Sequence, residues 1–137
     1  MVVAIIGLAA GAVVLAAPDP RPGVRAEAEA LAARMVRARE EAVLTNRPVA
    51  IAVSARGYAA ERYDGQTWTP LVEGPFKAVD WQADTVVASE PVEARVVFDP
   101  TGVAEAARVS LTRGRRSIGV AIDAAGEVRV DERVRDA

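Results

Sequence analysis

The sequence contains no cysteine and no histidine. Without cysteine there is no disulfide framework, so the redox compartment cannot be read from thiols; a periplasmic location is compatible with this and is not established by it. Together the two absences exclude Ser-His-Asp triads, Cys-His pairs and zinc sites with His or Cys ligands. Aromatics are scarce, at 4% of residues, while the hydrophobic fraction is 51%. The core must therefore be built from small and β-branched side chains. Lysine is almost missing: of 17 basic residues, all but Lys77 are arginine. We read that bias as the mark of a GC-rich coding sequence and attach no function to it. Neither sign of charge dominates, with 19 acidic residues and a net charge of -2. That balance gives no electrostatic case for nucleic acid or for an acidic substrate.

What is present begins with length. The 137 residues suffice for one domain and not comfortably for two. Met1 to Ala17 carries no charged residue. As a helix this run would span roughly 25 Å, slightly short of a hydrocarbon core of roughly 30 Å. Pro18, Pro20 and Pro22, with Asp19 and Gly23, then break it and mark a stiff linker over 18–23. Three readings compete for the run. A buried core helix rarely lacks every polar group. A cleaved secretory signal finds a fitting site at Val14-Leu15-Ala16, but the positive region that should precede it is missing. A membrane anchor is the preferred reading. Gly7 and Gly11 stand four apart, a spacing that lets two apolar helices approach closely and that also occurs without such contact.

From Val24 the period becomes that of an amphipathic helix. Val24, Ala28, Leu31, Met35, Ala38 and Ala42 recur at spacings of four and three and share one face. Glu27, Arg34, Arg37 and Glu41 are assigned to a solvated face, with Arg25–Glu29 and Arg37–Glu41 as surface pairs four residues apart. The helix, predicted over 24–46, ends before Pro48. Thereafter the period is two, and short strands fill 48–131. Strands are expected at Val49 to Val53, Tyr58 to Tyr63, Trp68 to Val72, Phe76 to Trp81, Thr85 to Ser89 and Val96 to Phe98. Ala107 to Thr112, Ser117 to Ile122 and Glu127 to Val130 complete the set. Asp64-Gly65, Asp99-Pro100-Thr101-Gly102, Arg113-Gly114-Arg115 and Ala125-Gly126 are the turns between them. The fold class is thus α+β: a long N-terminal helix with an apolar half and an amphipathic half, packed on antiparallel sheet.

That plan resembles the type IV pilin and pseudopilin architecture. Ala4-Ile5-Ile6-Gly7-Leu8 looks like the middle of a pilin N-terminal helix, with its Ile-Ile-Gly wording. Arg37 to Ala42 and Asn46-Arg47-Pro48-Val49 look like the second half of that helix and the first strand. Phe98-Asp99-Pro100-Thr101-Gly102, followed by a strand pair and Ile122 to Val128, is similar to the C-terminal half of general secretion protein H and its FimT-type pilus relatives. The resemblance covers nearly the whole chain. It implies a structural subunit of type II secretion, not an enzyme, anchored in the inner membrane by one helix (1–17) with residues 24–137 in the periplasm. It also implies assembly with other minor pseudopilins and the major pseudopilin at the tip of a short filament, where the subunit aids initiation and protein export. Ile5, Ile6, Gly7 and Gly11 would make the contacts of the apolar helix with lipid and with neighbouring helices. A minor type IV pilin of the FimT type, serving pilus assembly or DNA uptake, is the alternative, and a small periplasmic binding module is a more distant one.

The family pattern also has a basic leader, a cleavage-site glycine and an early glutamate, none of which stands before the apolar run here. We expect codons upstream of Met1 to supply them. Reading the upstream DNA tests this; an in-frame stop directly before Met1 would refute it.

No constellation in the sequence asks for catalysis or a cofactor. Asp64, Asp99 and Asp123 each sit beside a turn, where aspartate bonds to its own backbone. Phe98, Asp99, Pro100 and Gly102 are read as a structural turn with the Phe98 ring in the core. No phosphate loop or dinucleotide fingerprint is present. Arg113, Arg115 and Arg116 cluster at a hairpin tip, but no aromatic for base stacking lies near them, so nucleic acid is not expected as a partner.

Overall fold

The computed structural model describes residues 22–134. Among these described residues there is one α-helix, α1, which runs Val24–Thr45. Val24, Ala28, Leu31, Met35, Ala38 and Ala42 are all buried, as their spacing requires, and Glu27 is buried with them. Asn46 ends the helix in the left-handed region at φ 56°, where its N–H still reaches the Ala42 carbonyl. Pro48 follows at once and forbids continuation.

Nine strands follow, in two antiparallel sheets. The first sheet comprises β1 (Val49–Val53), β2 (Gly57–Tyr63), β3 (Trp68–Leu71), β4 (Val79–Asp80) and β6 (Arg95–Phe98). Its order is β3-β2-β1-β6, with β4 also paired to β2. The second comprises β5 (Val86–Glu90), β7 (Ala107–Arg113), β8 (Arg116–Ile122) and β9 (Val128–Val134), in the order β5-β7-β8-β9. The chain crosses from one sheet to the other three times, at β4–β5, β5–β6 and β6–β7. An isolated bridge between Phe98 and Ala104 extends the β6 edge. At the opposite edge, β3 contains Pro70 and pairs only with β2.

Helix α1 packs against strands of both sheets, and one core results. Phe98, Leu31, Met35, Ile51, Leu111, Ile118 and Val109 are among its largest fully buried side chains, and Tyr58 and Phe76 join them almost fully buried. The alternation of β7 and β8 places Val109, Leu111, Ile118, Val120 and Ile122 inward. Each such side chain contributes on the order of 1.5–3 kcal/mol by leaving water.

Residues 76–81 depart from the extended strand expected of them. Gly74–Phe76 forms a 3-10 turn with Pro75 in its first positions, and only Val79–Asp80 pairs, against Gly57 and Tyr58. Pro75 has no N–H for a ladder and presets a turn-like φ, while Phe76 is drawn into the core. Gly57 is what lets β4 approach: a Cβ there would lie 1.9 Å from the Val79 carbonyl oxygen. A second departure is at Arg37, which pairs at 3.6 Å with Glu40, three residues on, in place of Glu41. The Arg25–Glu29 pair forms at 3.1 Å.

Candidate functional site

Two constellations hold the domain together at its ends. The first is built from two turns of one design. Asp99-Pro100-Thr101-Gly102 follows β6, and Asp123-Ala124-Ala125-Gly126 follows β8. In each, the glycine N–H donates to the aspartate carbonyl at 2.9 Å, and the aspartate N–H donates to the carbonyl four residues on. In each, the aspartate Oδ1 accepts the N–H groups two and four residues ahead. Gly102 and Gly126 take φ of 87° and 82°, which glycine alone adopts readily. The two turns stack so closely that a Cβ on Gly126 would lie 1.9 Å from the Gly102 carbonyl oxygen. Arg39 of α1 reaches across both, donating from Nε to Gly102 O at 2.9 Å and from Nη2 to Ala125 O at 3.5 Å. Phe98, immediately before the first turn, is fully buried. Pro100 sits at the second position of its turn with its ring partly exposed.

Asp99 is held below the ordinary carboxyl range, first by the Thr101 hydroxyl and then by backbone N–H groups of Thr101, Val103 and Gly102. Asp64 is lowered by the Thr67 and Gln66 backbone N–H groups, and Glu132 by Arg116 and then Arg25. All three favour the charged form, so each stabilises the fold above its ordinary pKa, 3.8 for the aspartates and 4.5 for the glutamate. That contribution disappears as pH falls through the depressed folded values. We therefore expect a thermal midpoint that is level from neutrality to about pH 5 and falls below about pH 4. Melting across pH 7 to 2 tests it, and Asp99→Asn should make the acid fall shallower. An equal fall in the variant would show that Asp99 contributes nothing to it.

The second constellation lies at the start of α1. The sequence pattern assigns Glu27 to the solvated face, and the structure corrects this: Glu27 is 7% exposed. It stands three residues after Val24 and four before Leu31, on the core stripe, and only its charge argued otherwise. Burial of a carboxylate demands partners. Its Oε2 accepts the Gln82 N–H at 2.7 Å. Its Oε1 accepts the Thr85 hydroxyl at 2.8 Å and Arg113 Nη2 at 2.9 Å. The arginine cluster of the β7–β8 hairpin is thereby dispersed. Arg113 turns inward, Arg116 pairs with Glu132, and Arg115 is exposed at the turn.

Ile5, Ile6, Gly7 and Gly11 lie outside the described residues. Among the described residues, no group of three or more Asp or Glu side chains is arranged to hold a metal ion. A groove of about 550 Å³ runs between the C-terminal half of α1 and the 3-10 turn, past Arg37, Glu41, Arg62 and Glu73. Among the groups lining it, no nucleophile stands beside a base.

The family model described as type II transport protein GspH matches residues 27–126. The chain belongs to the GspH family. The match starts at Glu27 in the first turn of α1 and ends at Gly126 of the second aspartate turn, so both constellations fall within it. The solved structures show the same fold at low identity. The minor pseudopilin EpsH of the type 2 secretion system of Vibrio cholerae aligns with a TM-score of 0.67 at 13% identity, over 77% of this chain and 93% of EpsH. The solution structure of E. coli GspH aligns at 0.61 and 20% identity, over 80% of this chain and 88% of that one. The type IV minor pilin FimU of Pseudomonas aeruginosa aligns at 0.61 and 17%, over 76% and 84%. No curated protein sequence matches. Membership of the GspH family makes the protein a minor pseudopilin, a structural filament subunit without catalytic activity that associates with other pseudopilins. Subunits of this family are anchored in the inner membrane with a periplasmic domain. Among the described residues no helix is long and apolar enough to cross a membrane, and the apolar run 1–17 lies before them.

Proposed function

We propose that this GspH-family protein stands at the tip of the type II secretion pseudopilus and aids the start of filament growth and protein export. Its partners on this reading are the other minor pseudopilins and the major pseudopilin. Met1 to Ala17 would anchor it as a single span, with Ile5, Ile6, Gly7 and Gly11 packing against lipid and then against neighbouring helices. The observation that carries the reading is the family match across 27–126, from helix to second turn. Phe98, Asp99, Pro100 and Gly102 serve the fold on this reading and take no direct part in export.

In a strain lacking the protein, export of type II cargo should fail and return with the full chain. Photo-crosslinkers placed at the exposed α1 residues Val36, Val43 and Leu44 should capture other pseudopilins. Normal export in the deletion strain would overturn the reading. The rival reading, a FimT-type pilin for DNA uptake, draws on the FimU likeness. It is weakened by Arg113 and Arg116, whose charges are engaged by Glu27 and Glu132. Salt-dependent binding to duplex DNA would favour that rival; none is expected.

A further inference from the structure

Helix α1 starts without the usual device. Its N-cap is Gly23, and no side chain caps its free N–H groups. The chain arriving there ends in Pro22, whose carbonyl is an acceptor. One guanidinium takes hold of this junction. Arg113, at the end of β7, donates from Nη1 to Pro22 O at 2.8 Å and from Nη2 to Glu27 Oε1 at 2.9 Å. Its Nε and Nη2 also donate to Thr85 Oγ1, at 3.2 and 3.1 Å, and that hydroxyl in turn donates to Glu27. The pair is well shielded, with side chains 15% and 7% exposed. Three stretches that are remote in sequence meet at it: Pro22 with the first turn of α1, the 82–85 loop and the β7 end.

A salt bridge that only filled a gap in the core would have no reason to include Pro22. Buried ion pairs seldom stabilise a fold more than well-packed apolar residues do, and in some proteins their use is to select one geometry. The planar fork of arginine can satisfy two acceptors in set directions at once; an ammonium group is a single point of charge on a flexible stem. We propose that Arg113, held by Glu27 and Thr85, is a positioning residue that fixes the backbone entry from Pro22 into α1 relative to the two sheets. Its functional side rests on the pseudopilin reading above: a fixed entry to α1 presents the sheets to neighbours in one orientation.

The test uses the full chain, whose lack of cysteine allows two to be introduced cleanly. Spin labels at Gly23→Cys, where a Cβ meets nothing within 4 Å, and at Gln66→Cys report the distance between the entry to α1 and the β2–β3 turn of the first sheet. The background should give a narrow distribution. Arg113→Lys and Glu27→Gln should each broaden it by about twofold, as local release without global unfolding does. Melting should remain cooperative, and export should fall. Arg113→Lys keeps a charge beside Glu27 while losing the arm to Pro22, so it keeps the test decisive if Glu27→Gln does not fold. An unchanged distribution in a folded Arg113→Lys variant would overturn the proposal. A broadened distribution with undiminished export would support the clamp and overturn the need for it in secretion. Loss of export in the deletion strain decides the pseudopilin reading separately.

Discussion

Replacing Phe98 with alanine should destabilise the domain by about 3–5 kcal/mol, the range for removing a buried aromatic ring. The ring is completely shielded and is the largest of the fully buried side chains. It is one of only two phenylalanines in a chain with few aromatics, so no neighbour of similar size can move into the space. Small core residues such as Ala28, Ala38 and Ala42 cannot fill it either. Phe98 also pairs with Val49 in β1 and bridges Ala104, so its loss loosens the first sheet at its β6 edge. A change of that size approaches the whole stability of an ordinary domain. Urea unfolding should show a lower midpoint with a similar slope, and export should fail through lost protein. Asp99→Asn, beside it, should cost far less, because the amide oxygen can still accept the N–H groups of Thr101 and Val103. If Asp99→Asn abolished export while the folded protein stayed abundant, the aspartate would have a direct role, contrary to the reading of this turn.

Leu31→Asp should be at least as damaging, on the order of 4 kcal/mol or more, because two costs add. The leucine side chain gives up roughly 1.5–3 kcal/mol of burial, and an unpaired carboxylate is placed where it cannot be solvated. Leu31 has no measurable exposure, and it lies midway along the stripe that joins α1 to both sheets. Glu27, one turn earlier, shows what a carboxylate on this face requires: a backbone N–H, a hydroxyl and a guanidinium. Position 31 has leucine's apolar neighbours instead. Leu31→Met, which conserves volume, is the control and should cost less than about 1.5 kcal/mol. An unchanged melting temperature for Leu31→Asp would mean that this face does not pack.

The α1 stripe and the hairpins were legible because their information is local. A period of three and four, a proline after Asn46 and a turn such as Asp64-Gly65 can each be read from a few neighbouring residues. The same is true of the individual aspartate turns. Their identity of design was also there to be read, as Asp-x-x-Gly after a hydrophobic residue at both 99 and 123. What was not legible is what links residues far apart. Nothing near Arg39 indicates that it spans Gly102 and Ala125, and nothing near Arg113 indicates Glu27 and Pro22. Glu27 escapes the sequence pattern for a related reason. Its position on the wheel pointed inward, its charge pointed outward, and the partner that settles the matter is 86 residues away. The three crossings between sheets are likewise set by long-range pairing, which period and turn signals do not encode.

The free edges of the two sheets carry a consequence for crowding. Subunits packed into a filament meet one another at high local concentration, where an open strand is a template for runaway pairing and fibre formation. Here each edge is blunted. Pro70 removes a donor from the β3 edge. The four-residue β6 is partly covered by its bridge to Ala104. β5 stops at Glu90 before Pro91, and β9 exposes Arg129, Asp131 and Glu132. Strand exchange between copies is thus discouraged at each of these edges among the described residues, and a mutation of Pro70 to a β-branched residue would expose the protein to insolubility without disturbing its native core.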